Sequence, residues 1–152
     1  MDEREPVTVE TVLVPVDGTE ESATAVEYAV GVADRYDADV HALFVLGREV
    51  VLGMDAGAVG EDDVAETART FLEDAAAVGA ERDVYVATST AHGYSAARKV
   101  HHPGNVVLDT ADEVSADFIV IPRESGTDTA VEVLEQAAEY VLAYASQPVL
   151  SV

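Results

Sequence analysis

The chain has no cysteine, which excludes disulfides, thiolate metal sites and cysteine nucleophiles. Positive charge is nearly as scarce, with 8 Lys+Arg against 30 Asp+Glu, and Lys99 is the only lysine. So few cations cannot neutralise phosphates, so nucleic acid is excluded as a partner, and an anionic membrane surface for the same reason. No apolar run approaches the ~18 residues of a membrane span. The opening Met1-Asp2-Glu3-Arg4-Glu5 lacks the features of a secretory leader. A cytoplasmic protein is expected. Motifs of catalysis are missing too. There is no Gly-x4-Gly-Lys-Ser/Thr, and Ser89, Ser95 and Ser125 have no nucleophile-elbow context. Asp17-Gly18 would suit an aspartyl phosphatase only with a second acid two residues on, where Thr19 stands. The chain reads as a non-enzyme with no catalytic residue.

The acids that remain give a formal charge of −22. They are spread evenly between apolar segments, which excludes an acidic disordered tail. Such a surface repels itself in dilute buffer, whereas at molar salt the Debye length falls to about 3 Å. This composition points to a salt-adapted, halophilic organism. The 152 residues suit a single domain spanning 1–152, able to bury roughly 68–70% of the unfolded chain's surface.

Apolar periodicity predicts five strands alternating with four helices. Residues 1–10 are polar and expected to fray. Strands are expected over Thr11 to Val16, Val40 to Leu46, Val84 to Thr88, Phe118 to Ile121 and Val149 to Val152. Helices are expected over Glu20 to Tyr36, Asp62 to Gly79, Asn105 to Ser115 and Asp128 to Ala145. Thr19 is the first N-cap, with Ala23, Val26, Val30 and Ala33 facing inward. Gly79 reads as a C-cap, and Thr129 to Glu132 as a capping box. Gly47 to Gly60, with four glycines, and Ser89 to Gly104 read as long loops, the first with a short turn at Val50-Val51-Leu52. With right-handed crossovers, this alternation gives an α/β fold with a doubly wound parallel sheet.

Three segments carry a family resemblance: Val14-Pro15-Val16-Asp17-Gly18-Thr19-Glu20-Glu21-Ser22, Ser115 to Ile121, and Gln147-Pro148-Val149-Leu150-Ser151-Val152. Together, in order and over essentially the whole chain, they resemble the universal stress protein family. The resemblance implies a Rossmann-like adenine-nucleotide fold of strand order 3-2-1-4-5. It also implies a homodimer made through the last strand, Val149, Leu150, Ser151 and Val152; outward residues of the last helix, Tyr140 and Tyr144, are expected to contribute.

In the family's ATP binders, the matching positions Pro15, Val16, Asp17 and Val45 hold adenine and ribose. Asp17 has two readings: an acceptor for the nucleoside, or, the one preferred, a turn residue capping the first helix's amides. Binders hold phosphate with Gly-x2-Gly, nine residues and Gly-Ser/Thr. Counting back from Pro148 places Pro122, Ser125, Glu135 and Gln136 there. Pro122 has no amide hydrogen, and Glu135 sets a carboxylate against phosphate. Only Ser125, Gly126 and Thr127 could still offer amides and hydroxyls. No cofactor is therefore expected, ATP being the sole candidate, and the protein should act through dimerisation and partner contacts. The first alternative is an adenine-nucleotide sensor or slow ATPase.

The segment from Ala91 to Gly104 concentrates cations that are scarce elsewhere: three of the four histidines, Arg98 and Lys99. One reading is an anion or partner site built on Arg98, Lys99, His101 and His102, tuned by histidine protonation, and the second alternative function is accordingly a small-anion or metal-binding module on the 92–102 loop. The preferred reading is a solvated loop whose cations relieve acid repulsion. Adjacent His101 and His102 diverge and lack carboxylates at ligand spacing, so no metal site is assigned. His41 is expected packed or at the sheet surface.

Overall fold

The computed structural model describes residues 6–92, 102–122 and 132–152. Its elements run β1 (Thr11–Val16), α1 (Glu20–Tyr36), β2 (Asp39–Leu46), α2 (Arg48–Asp55), α3 (Glu61–Ala80) and β3 (Val86–His92). They continue with α4 (Pro103–Glu113), β4 (Phe118–Ile121), α5 (Glu132–Tyr144) and β5 (Val149–Ser151). The strands are all parallel, in the expected order β3-β2-β1-β4-β5.

Strand alternation divides the core in two. Val12, Val14 and Val16 of β1 face a layer of α1 and α3, where Ala25, Ala29 and Ala33 let α1 lie close. Leu13, Val45, Ile119 and Ile121 face the other way, against Val107 of α4 and Leu134 and Val141 of α5. Each large aliphatic side chain fully buried here contributes about 1.5–3 kcal/mol. β1 is apolar on both faces because helices cover both.

Several expectations are corrected. The N-terminal segment is anchored up to Val9: Val9 is buried, and the Asp117 carboxylate accepts hydrogen bonds from the amides of Glu10 (2.9 Å) and Thr11 (3.1 Å). Ala23 is exposed, because Ser22 rather than Ala23 turns inward and sets the α1 stripe. The expected loop 47–60 contains a helix, α2, whose Val51 is buried against the core, so the described residues hold five helices rather than four.

β3 begins two residues later than expected and runs through His92. Ser89 to His92 therefore belong to the sheet, paired with Leu43 to Leu46. Gly79 is not the cap of α3, which runs to Ala80 and has Glu81 as its C-cap. It is a contact residue: a Cβ there would meet the carbonyl oxygen of Val84 at 2.6 Å. α4 starts at Pro103, with proline where a first-turn amide would lack a partner anyway. The expected start of the last helix at Asp128, and its capping box on Thr129, lie outside the described residues.

Candidate functional site

The sheet order reverses between β1 and β4. α1, whose inward residues pack on one face, leaves from the end of β1, while α4 and α5 cover the other face. Such a reversal opens a crevice beyond the strands' carboxyl ends. There β1 stops at Val16, and Gly18 takes φ +88, a left-handed conformation that glycine reaches without steric cost.

Asp17 occupies this turn. Its Oδ1 accepts from the Thr19 amide (3.1 Å) and the Thr19 hydroxyl (2.6 Å). Thr19 Oγ1 in turn accepts from the Ser22 amide (3.2 Å), giving α1 its N-cap. Ser22, fully buried, returns a hydrogen bond from its hydroxyl to the Thr19 carbonyl (2.9 Å) and accepts from the Asp17 amide (3.3 Å). The turn-capping reading of Asp17 therefore describes one oxygen. The other, Oδ2, is buried and has no hydrogen-bond partner among the described residues. A buried carboxylate oxygen left bare is costly, so it is free to accept a donor.

The register gathers the first four expected site residues. Pro15 pairs with Leu43 and Val16 with Phe44, the last pair of the ladder, after which the two chains continue with Asp17 and Val45. Pro15, Val16 and Val45 are buried. Pro122 follows β4 on the opposite side of β1 and is also buried. Ser125, Gly126 and Thr127 lie outside the described residues, as do Arg98, Lys99 and His101.

His102 is described, and it is engaged in the fold. Its Nδ1 accepts from the Gly104 amide (2.9 Å), capping α4, and its ring stacks on Tyr140 at 4.4 Å. Tyr140 does not face outward as expected; its hydroxyl donates to Asn105 Oδ1 (2.7 Å). Tyr144 is exposed at 68%. Val149, Leu150, Ser151 and Val152 are half-buried along the sheet's outer edge beside β4. His41 sits on β2 with Nε2 2.7 Å from Ser89 Oγ, and burial lowers its pKa from 6.5.

Sequence reasoning missed Ser22 and the cap made by His102. The Thr19-x-x-Ser22 spacing marks the first. The second had only Pro103 as a signal, since imidazole is not among the usual capping side chains.

The strand order, the reversal beside β1 and the carboxylate turn define a doubly wound α/β protein of the class that holds ligands beyond its strand ends. The chain belongs to the universal stress protein family, whose sequence model matches residues 8–152. It is similar to the universal stress protein MJ0531 of Methanocaldococcus jannaschii, 26% identical over 144 residues, spanning 93% of this chain and 80% of that one. Its fold is that of hypothetical protein MJ0577, with TM-score 0.75, 17% identity and 96% of each chain covered. It is shared by a universal stress protein from Archaeoglobus fulgidus in complex with dAMP, with TM-score 0.63 and 19% identity, covering 93% of this chain and 96% of that one.

Proposed function

We propose that this chain is a regulatory universal stress protein without catalytic turnover, degenerate in ATP binding. It works in the cytoplasm of a salt-accumulating cell by pairing with a second copy through β5 and contacting a further protein. The observation that carries this reading is Pro122, buried at the end of β4 where ATP binders place a phosphate-holding glycine. It offers no amide to a phosphate, and Glu135 adds like charge by its place in the sequence.

A second reading, an adenine-nucleotide sensor, is favoured by the bare Asp17 Oδ2 at the rim of the same crevice. The dAMP bound to the Archaeoglobus fulgidus protein supports it by analogy of fold. Calorimetric titration separates the two. Under the first reading Mg-ATP binds no more tightly than adenosine, and gently purified protein carries no nucleotide in native mass spectrometry. Binding of Mg-ATP at least about tenfold tighter than adenosine overturns it in favour of the sensor.

A further inference from the structure

We propose that the outer edge of β3, with the cavity beside it, docks an extended basic segment of a partner protein as an added strand. In a parallel ladder each residue's N–H and C=O point the same way, and the direction alternates along the strand. The Val40 amide donates to the Tyr85 carbonyl (2.9 Å), so Tyr85, Ala87, Ser89 and Ala91 address β2. Val86, Thr88, Thr90 and His92 therefore turn their backbone groups to the outer edge, where the sheet of the described residues ends. β3 contains none of the lysine or proline residues that commonly blunt such edges.

The side chains of those same four residues line a cavity of about 650 Å³ between β3, α2 and α3. Its walls include Val51 and Met54 of α2 and Val64, Ala68 and Leu72 of α3. Backbone edge and side-chain pocket thus coincide, as strand addition requires: main-chain bonds give affinity, and alternate side chains give specificity. The volume lies within the range of small-ligand pockets and takes one or two aliphatic side chains.

Charge selects the occupant. Asp55, Glu61 and Glu73 line the cavity against a single guanidinium, Arg69, which lies 3.9 Å from both Glu66 and Glu73. None of the described strands of this chain carries a lysine or arginine, so a second copy offers no basic strand to this edge, and a small anion brings the wrong sign. A strand alternating apolar with Lys or Arg residues fits both features.

The probe is a synthetic Lys-Val-Lys-Val-Lys-Val peptide, titrated by amide NMR into the ¹⁵N-labelled protein at a salt concentration that keeps it folded. Saturable shifts at Thr88, Thr90 and His92 are expected. A fully N-methylated peptide of the same charge should bind at least about tenfold more weakly, because it lacks the donors of a strand. Two variants should cause a similar loss. Thr90→Pro removes one outward amide at a position where an edge strand tolerates proline, and Ala65→Trp fills the cavity from an exposed site on α3. The proposal is overturned by equal binding of both peptides, by shifts spread over the acidic surface, by no saturation at all, or by variants that bind as the parent does.

Discussion

At the scale of single residues, the β1–α1 turn is held by a short relay: Asp17 to Thr19, Thr19 to Ser22, and Ser22 back to the Asp17 amide. Thr19 is its hinge, because one hydroxyl both donates to the carboxylate and accepts from the helix. Thr19→Ala should lower stability by about 1 kcal/mol, the usual worth of an N-cap, while Thr19→Ser keeps most of it. Chemical denaturation of the two variants side by side checks this. His41 makes a second test at this scale. Burial lowers its pKa below 6.5, so the folded state keeps the ring neutral where the unfolded chain would take up a proton. Stability from this group is complete above about pH 6.5 and falls as pH drops below it toward the folded-state value. His41→Gln should flatten that part of the pH–stability curve, read by urea midpoints between about pH 7 and 5. An unchanged slope would place the acid sensitivity elsewhere.

At the scale of elements, glycine separates packing from helix propensity. Gly79 lies in α3 where a Cβ would press on the Val86 side chain and the Val84 carbonyl oxygen, the latter at 2.6 Å. Gly31 lies in α1 with nothing within 4 Å. Gly79→Ala should therefore destabilise by about 1–3 kcal/mol through overpacking. Gly31→Ala should stabilise by roughly 0.5–1 kcal/mol through backbone entropy alone. Thermal unfolding of the two variants should move in opposite directions. The same division between local pattern and tertiary contact explains what the sequence made legible. β1, α1 and β4 were readable to the residue because apolar runs and cap chemistry agree there. α2 was not: it has eight residues and begins after Gly47 with no side-chain cap, so only the burial of Val51 marks it as part of the fold. β3 was misplaced because an edge strand exposes one face, and Ser89 to His92, polar apart from Ala91, read as loop residues. At the site, the carboxylate turn at Asp17-Gly18 was legible from the end of the β1 apolar run, whereas Val45 was named only through the family resemblance. The bare Oδ2 was not legible, since it depends on which oxygen the Thr19 cap consumes.

At the scale of the whole molecule, the proposed salt dependence and the proposed pairing both follow from charge. With 8 cations for 30 acids, pairing cannot neutralise the surface, and the two ion pairs among the described residues are exposed and share one arginine. Exposed pairs of this kind add little. Salt must therefore supply the screening that side chains do not, cutting the reach of each charge from about 10 Å at 0.1 M to about 3 Å at 1 M. Among the described residues β5 has one outer edge without a neighbouring strand, and pairing it with a second copy would satisfy its backbone groups. Each copy, however, brings −22 to that contact. Screening should then act twice, once on the fold and once on association. Dialysis from molar KCl to low salt should first dissociate the proposed pair and then cost helical circular dichroism. Sedimentation velocity along the same salt series should show the monomer before ellipticity is lost. Ser151→Asp, adding like charge to the proposed pairing strand at a side chain outside both apolar clusters, should shift dissociation to higher salt by more than it moves the unfolding midpoint. A protein that keeps its dichroism and its mass through the whole series would remove charge as the reason for its composition.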